Sequence, residues 1–282
     1  MQIRPKKSLG QYFLHSKKVL NDIIAAANIQ KGENILEIGP GTGILTQELL
    51  KAEARVVAVE KDIRSYDLLK EKFAEEILNG RLTLVYEDIL KFNVHTLDSL
   101  RHLADRGNDK SSRNNAQKSY AVVANIPYYI TGAILEKFLE NEPRPNRMVL
   151  LTQKEVAERI VAKDKKESIL SISVKAFSNP RIIAKVSRGA FVPPPTVDSA
   201  ILAINGISND KFIENKLEIS HFFRIVRAGF AHKRKFLIRN LESIADLNKI
   251  KEVWNILSFN EKIRAEDLTL EQWFALSTKI SA

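Results

Sequence analysis

The sequence Ile-Leu-Glu-Ile-Gly-Pro-Gly-Thr-Gly at residues 35–43 places three glycines at alternate positions behind a short apolar run. A helical pattern follows them, with Leu45, Leu49 and Leu50 on one face. A glycine turn between a strand and a helix lets the backbone approach a ligand closely and presents amide N–H groups at a helix N-terminus. The stretch therefore predicts an α/β sheet with a ligand-binding turn, and it suits a nucleotide-like cofactor.

Strand and helix patterns alternate along the chain around this turn. The predicted strands cover residues 34–38, 55–59, 82–86, 120–124 and 148–151, with two more β-rich stretches at 182–186 and 200–204. Helical periodicity lies between most of them, for example over residues 63–78, and this alternation predicts a doubly wound α/β sheet. Only helical patterns remain after Gly206. We therefore expect one domain of residues 1–207 and a small all-helical domain of residues 208–282.

Two carboxylates follow the second and third predicted strands. Glu60 comes about 20 residues after the glycine turn, where an acidic side chain can accept hydrogen bonds from both ribose hydroxyls. Asp88 lies where a carboxylate can accept from an adenine amino group. Each alone could equally be a solvated strand end or a helix cap, but the ordered series favours an adenosine cofactor. Ile44 stands at the third glycine of the dinucleotide turn, which favours S-adenosylmethionine, a cofactor without pyrophosphate, over NAD.

Residues 125–128, Asn-Ile-Pro-Tyr, suit a flat base with an exocyclic amino group. The amino nitrogen of adenine is a poor nucleophile because its lone pair is delocalised into the ring. The side-chain carbonyl of Asn125 and the backbone carbonyl of Ile126 can accept its two hydrogens and localise that lone pair. Pro127 fixes φ, and Tyr128 offers a ring on which an extruded base can stack. For the tetrapeptide alone, a strand end closed by an Asn-Pro-type turn remains the alternative.

Composition narrows the class of protein and its partners. The 282 residues include no cysteine, which excludes disulfides, thiolate metal sites and cysteine nucleophiles, and no metal site is expected. No apolar run approaches the roughly 20 residues of a membrane span, and the basic N-terminus lacks the apolar stretch of a secretion signal. We expect a cytoplasmic monomer without a membrane partner. The formal net charge of +10 favours a polyanionic partner.

The positive charge is concentrated near the start of the predicted helical domain. Between His221 and Leu241 there are six basic residues and no Asp or Glu. The six are Arg224, Arg227, Lys233, Arg234, Lys235 and Arg239. Because no acidic residue within the segment balances them, we interpret them as a nucleic-acid-binding patch rather than as a solvated helix face.

Together these motifs resemble the ribosomal RNA adenine N6-dimethyltransferase family, and most closely its bacterial small-subunit enzymes. The resemblance runs nearly end to end and includes residues 6–14, 35–43, 59–62, 87–89, 125–128, 153–159, 191–200 and 233–237. It implies a Rossmann-like methyltransferase fold with a seven-stranded, mostly parallel sheet and S-adenosylmethionine as cofactor. The implied reaction is dimethylation of N6 on two adjacent adenosines near the 3′ end of 16S rRNA, during ribosome biogenesis.

The resemblance also implies roles by position. The residues expected around the cofactor are Gln11, Tyr12, Leu14, Gly39, Gly41, Glu60, Asp88 and Asn125, the first three closing over its methionine end as part of the N-terminal arm (residues 1–14). The residues expected around the target base are Asn125, Ile126, Pro127, Tyr128 and Phe191, with Phe191 covering the far face of the base. The basic segment and the helical domain would grip the ribosomal RNA.

Four features depart from the family pattern. Tyr12 stands where the family usually has Asn or His, and Thr196 stands where Lys is common. Phe236 replaces a small polar residue in the basic motif, and the stretch 104–119 is longer than typical and almost without apolar side chains. We interpret that stretch as a mobile insertion and assign it no function.

Three other functions compete with this interpretation. The first is a related methyltransferase that modifies 23S rRNA and confers macrolide resistance; the Ser-Leu-Gly-Gln and Lys-Arg-Lys motifs favour the small subunit instead. The second is a non-catalytic RNA-binding assembly factor that kept the fold, against which the intact cofactor and acceptor residues count. The third is an NAD-dependent dehydrogenase, for which no hydride-site histidine or Tyr–Lys pair is evident.

Overall fold

The computed structural model of the protein describes residues 3–6, 9–97 and 119–281. Residues 104–118 of the predicted insertion therefore lie outside the described residues. The strands are β1 (Phe13–Leu14), β2 (Asn34–Ile38), β3 (Arg55–Glu60), β4 (Leu82–Tyr86), β5 (Ala121–Asn125), β6 (Arg147–Gln153), β7 (Asn179–Val186), β8 (Phe191–Val192) and β9 (Ser199–Asn205). Seven of them form one sheet, and β1 and β8 form a separate antiparallel pair.

The large sheet has the strand order β4-β3-β2-β5-β6-β9-β7. The first five of these strands are parallel neighbours, and β9 runs antiparallel to β6. Because the parallel strands share a direction, the carboxyl ends of β2, β3, β4 and β5 lie at one edge of the sheet. The predicted fold class, a seven-stranded and mostly parallel methyltransferase-type sheet, is confirmed.

The helices between the strands follow from local sequence signals. They are α1 (Lys17–Ala27), α2 (Ile44–Lys51), α3 (Ile63–Lys72), α4 (Ala74–Leu78), α5 (Thr131–Leu139), α6 (Lys154–Ile160) and α7 (Ile169–Phe177). In α1, for example, Ser16 caps the first turn by accepting from the Val19 amide, and Asn28 ends the helix in the left-handed conformation. Strand β3 is buried from Val56 onward, as expected where helices cover both faces of a sheet.

One predicted helix is divided in the structure. The sequence pattern predicts a single helix over residues 63–78, whereas α3 ends at Lys72 and α4 begins at Ala74. Phe73 between them has φ −115° and ψ 32°, outside the helical range. Its side chain is buried and packs beside Gly43, where an added Cβ would lie 2.6 Å from the Phe73 ring. Burial of this ring therefore accompanies the break.

The chain forms two compact units, which consist of residues 1–157 with 181–207 and of residues 158–180 with 208–282. The second unit contains α7 together with α8 (Asp210–Glu214), α9 (Ile219–Gly229), α10 (Leu237–Leu241), α11 (Leu247–Leu257) and α12 (Leu270–Ser281). Residues 158–180 thus group with the helices, although the predicted boundary places all of 1–207 in the first domain. The reason is aromatic packing, since Phe177 lies 5.0 Å from Phe212 and 5.9 Å from Phe223 between ring centroids.

Across the described residues, every helix is too short or too polar to span a lipid bilayer.

Candidate active site

A cavity opens at the carboxyl ends of the parallel strands in the first unit. Its walls come from the arm before and within β1, from the turn after β2, and from the segments that follow β3, β4 and β5. Among its lining residues are Gln11, Tyr12, Leu14, Gly39, Gly41, Glu60, Asp88, Asn125, Ile126, Pro127 and Tyr128. The structure therefore brings together, around one cavity, all but one of the residues predicted for the cofactor and the target base.

Glu60 holds the glycine turn in place. One carboxylate oxygen accepts the Gly41 amide N–H at 3.0 Å, and the other accepts the Asp62 amide N–H at 2.8 Å. Burial raises the pKa of the Glu60 carboxyl, which these backbone donors oppose. A carboxylate oxygen has two lone pairs, so each keeps one for a ligand hydroxyl. The turn and its carboxylate thus form a preorganised acceptor for a diol.

Gly41 requires glycine for two reasons. Its φ is +59°, and a Cβ there would lie 3.1 Å from the Phe13 ring. Gly39 has φ +63° and faces open space instead. The backbone at Gly39 is therefore accessible for close approach by a ligand.

Asp88 lies beyond the end of β4 and is ion-paired. Lys61 Nζ is 2.6 Å from one carboxylate oxygen, and the Leu90 amide donates to the other at 3.0 Å. The hydrogen bond from Lys61 holds the pKa of Asp88 below its ordinary value. Asp88 therefore stays ionised as a hydrogen-bond acceptor at this end of the cavity.

Asn125 is oriented by the arm. Its side-chain N–H donates to the backbone carbonyl of Tyr12 at 3.2 Å. Because this bond uses an N–H of the amide, the side-chain carbonyl oxygen remains available as an acceptor. The hydroxyl of Tyr128 lies 2.6 Å from Ser199 Oγ, and its ring stacks on the Tyr12 ring. Burial raises the pKa of the Tyr128 hydroxyl, so that it stays protonated.

The structure does not bring Phe191 to the cavity with the other predicted residues. Its ring is 2% exposed and belongs to the same apolar core as Leu14 and Val19. Leu14 and Phe191 are partners in the β1–β8 pair, whereas the next residue, Val192, is 58% exposed. Alternation along β8 therefore turns Phe191 inward, and in this conformation it does not cover a base.

Sequence reasoning missed a polar cluster that fastens the arm. Asp62 is 3% exposed and accepts from the Gln11 side-chain N–H at 2.8 Å and from Arg64 Nε at 3.0 Å. Arg64 also donates to the Arg4 carbonyl, while Gln11 Oε1 accepts the Lys6 amide. The Arg64 hydrogen bond lowers the pKa of Asp62 to about 2. We call Gln11, Asp62 and Arg64 the arm clamp. Its signals in the sequence are the motif at residues 6–14, which includes Gln11, and the Val-Glu-Lys-Asp motif at 59–62, which ends at Asp62.

A buried carboxyl also lies in the cavity wall. Glu37, in β2, is 1% exposed, and among the described residues neither of its carboxyl oxygens has a hydrogen-bond partner. Burial raises the pKa of this group to about 8. The nearby hydroxyl and backbone N–H of Thr46 favour the ionised form and lower the pKa, but by less than burial raises it. The negative charge of Glu60 raises it further.

Replacing Glu37 with Gln is expected to stabilise the cofactor-free protein at pH 9 and to change little at pH 4. The folded pKa of about 8 exceeds the ordinary value of 4.5, so the folded wild type binds the proton more tightly than the unfolded chain. Its free energy of unfolding therefore falls as pH rises from about 4.5 to about 8 and then levels off. Thermal unfolding of both proteins between pH 4 and 9 measures this difference. A difference independent of pH would contradict it.

The predicted RNA-binding residues lie in the second unit. Arg224 and Arg227 are exposed on α9, and Lys233, Arg234 and Lys235 are exposed in the loop before α10. Among the described residues no carboxylate pairs with those three loop cations. The prediction that these basic residues have no acidic partner is wrong for Arg239. A carboxylate oxygen of Glu242, the first residue after the segment 221–241, lies 2.6 Å from its guanidinium nitrogen.

Comparison with known proteins finds rRNA methyltransferases and a dimethyladenosine transferase among the proteins similar to this chain. Ribosomal RNA small subunit methyltransferase A of Dehalococcoides mccartyi is 40% identical over 273 residues, which cover 96% of this chain and 87% of the relative. The crystal structure of a dimethyladenosine transferase from Plasmodium falciparum matches with a TM-score of 0.73 and 27% identity, over 94% of this chain and 95% of that one. The 23S rRNA methyltransferase ErmE matches with a TM-score of 0.69 and 24% identity, over 96% and 100%, and shows a shared fold.

The resemblance inferred from the motifs is thus confirmed over nearly the whole chain. The family described as ribosomal RNA adenine dimethylase matches residues 3–281, which include most of the arm, the cavity and the basic loop. On this match and on the identity to curated relatives, the chain belongs to the ribosomal RNA adenine dimethylase family.

Proposed function

We propose that this protein uses S-adenosylmethionine to dimethylate the N6 amino group of adenine in small-subunit ribosomal RNA. The observation that carries the proposal is the shared cavity, whose lining includes the glycine turn and Glu60 together with Asn125 and Tyr128. One ligand held at the turn and another held at residues 125–128 would meet within it. The relatives named small-subunit methyltransferases support small-subunit rRNA as the substrate. We further propose that the protein acts in the cytoplasm, as a monomer, on immature small subunits.

The residues at the cofactor end fit S-adenosylmethionine. Glu60 would hold the ribose hydroxyls with its remaining lone pairs, Asp88 would accept from the adenine amino group, and the open backbone at Gly39 would allow close approach. The arm residues Gln11 and Leu14 would border the methionine end. When bound, the cofactor supplies an electrophilic methyl group on a sulfonium that already carries the positive charge.

The residues at the acceptor end would prepare the amino nitrogen. The Asn125 carbonyl oxygen and the backbone carbonyl of Ile126 would accept the two amino hydrogens, which localises the lone pair on nitrogen. Tyr128 would stack on the extruded base. No strong general base is needed, since the methylated amine loses its proton readily after transfer. Placement alone can lower such a barrier by about 7–11 kcal/mol.

Reconstitution with both ribosomal subunits tests the proposed substrate. Small and large subunits from cells that lack this protein would be incubated with it and with cofactor labelled on the methyl group. We expect dimethyladenine at two adjacent positions near the 3′ end of 16S rRNA, mapped by mass spectrometry of RNA fragments. Label found only in the large subunit would establish the 23S alternative instead, and the absence of label from both would refute the function.

The basic loop before α10 predicts a steep salt dependence of RNA binding. Each cation that neutralises a phosphate contributes about 0.7–0.9 to the slope of log affinity against log salt concentration. Replacing both Lys233 and Lys235 with Ala should therefore reduce that slope by about 1.4–1.8. Replacing Lys251 and Lys262, two lysines elsewhere in the same unit, removes equal charge and should leave the slope nearly unchanged. Equal effects of the two pairs in filter-binding titrations would contradict a phosphate contact at the loop.

A further inference from the structure

The aromatic ring of Tyr12 lies directly against Tyr128. Their centroids are 5.6 Å apart and their planes are inclined by 23°. This separation is within the range of about 4.5–7 Å for rings in direct contact, so no base fits between them. A base that stacks on Tyr128 must therefore use its opposite face or displace Tyr12.

Contacts of the Tyr12 backbone and of its two neighbours in the sequence hold Tyr12 in place. Its carbonyl accepts the Asn125 amide N–H at 3.2 Å, and the strand β1, which begins at the next residue, pairs with β8. The preceding residue, Gln11, donates to the buried Asp62 at 2.8 Å in the arm clamp. Displacing Tyr12 would break these contacts together. The anchoring therefore favours a Tyr12 that stays in place while a base uses the other face of Tyr128.

The Tyr128 ring is likewise held at its edge. Its hydroxyl lies 2.6 Å from Ser199 Oγ, at the start of β9 in the large sheet. The side chain of Tyr12 packs in turn against the apolar core of the first unit. One face and the far edge of Tyr128 are thus supported by the fold, which sets the plane of the ring.

We propose that Tyr12 is a positioning residue of the acceptor site. Its ring backs Tyr128, so that Tyr12, Tyr128 and the target adenine form three successive layers, and its carbonyl orients the Asn125 amide. This inference rests on the proposed function, because it concerns alignment of the base that the enzyme methylates. Tyr12 acts through Tyr128 and Asn125 and itself contacts neither reacting atom.

The test compares Tyr12→Leu with Tyr12→Phe in the full-length protein, using small subunits that lack the modification. The leucine variant removes the ring but keeps an apolar side chain and the backbone carbonyl, whereas the phenylalanine variant keeps the ring. We expect kcat for Tyr12→Leu to fall about three- to tenfold, as for the loss of one aromatic pair. Tyr12→Phe should remain within about twofold of wild type on the same grounds. Because the Tyr12 ring stacks on Tyr128, we expect any contact of Tyr12 with the cofactor to come from its backbone, which both variants keep. The Kd for S-adenosylhomocysteine, measured by calorimetry, should therefore be unchanged in both.

A matched control is Tyr66→Leu, which removes the ring contact between Tyr66 and Tyr86 at 5.5 Å; neither of these residues lines the cavity. Its kcat should equal that of wild type, which separates positioning from general loss of an aromatic pair. Higher kcat/KM in Tyr12→Leu would mean that the ring occupies the place of the base and would overturn the inference. So would equal losses in the Leu and Phe variants, a weakened Kd for S-adenosylhomocysteine, or wild-type kcat in Tyr12→Leu. If the wild-type protein methylates neither ribosomal subunit, that result refutes the proposed function on which this inference rests.

Discussion

Asn125→Ala is expected to lower kcat for methyl transfer by at least about 10²-fold, the effect typical of losing one preorganised polar contact to a reacting group. The side-chain carbonyl of Asn125 is the acceptor that would localise the amino lone pair, and Ala provides none. Affinity for RNA should stay near wild type, because the cations that we expect to bind RNA belong to the second unit, whereas Asn125 ends β5 in the first unit. Single-turnover kinetics with labelled cofactor would measure the chemical step, and filter binding would measure affinity for RNA.

Asn146→Ala provides the matched control for this variant. Asn146 is an exposed asparagine just before β6, whereas Asn125 ends β5, so the two lie at opposite ends of neighbouring parallel strands. Its replacement should leave kcat unchanged. Turnover in Asn125→Ala at the wild-type rate would refute the role assigned to the amide. Loss of RNA binding in parallel with kcat would indicate a structural effect instead.

Glu60→Ala is expected to weaken cofactor binding by at least about 10²-fold, since two hydrogen bonds from the ribose hydroxyls to a charged group would be lost and each contributes about 1.5–3 kcal/mol. The replacement removes the acceptor for the ribose hydroxyls. It also leaves the Gly41 and Asp62 amide N–H groups without their present partner, which loosens the glycine turn. Calorimetric titration with S-adenosylhomocysteine measures the change in Kd.

Two further variants separate these effects. Glu60→Gln preserves the volume of the side chain but has a single acceptor oxygen, so its amide N–H₂ would face one of the two backbone donors. We expect an intermediate loss of affinity. Glu48→Ala removes a carboxylate from α2 in the same unit and should leave the Kd unchanged. Wild-type affinity in both Glu60 variants would show that the cofactor does not bind at this carboxylate.

The arrangement of the cavity could be predicted because it depends on local patterns and one topological rule. Apolar runs identify β2, β3 and β5, and parallel strands place their carboxyl ends at one edge. Glu60 and Asn125 therefore line one cavity although they are 65 positions apart in the sequence. This prediction needs only the positions of the strands and no knowledge of side-chain contacts. Asp88, two residues beyond β4, follows from it as well.

Other features depend on contacts between distant parts of the chain and could not be predicted. The burial of Phe191 follows from the register of β8 against β1, which no local pattern encodes. The arm clamp joins Gln11 to Asp62 across 51 positions of sequence. Grouping of residues 158–180 with the helical unit likewise arises from packing of Phe177, a residue that local periodicity marks only as apolar.

A crystal structure of the protein with S-adenosylhomocysteine is the most direct test of the shared cavity. The ribose hydroxyls are expected within hydrogen-bonding distance of Glu60, with the sulfur atom facing the side-chain carbonyl of Asn125. Tyr128 should remain stacked on Tyr12. Binding of the ligand outside the turn at residues 39–43, or an Asn125 amide directed away from the sulfur, would contradict the proposed meeting of the two substrates.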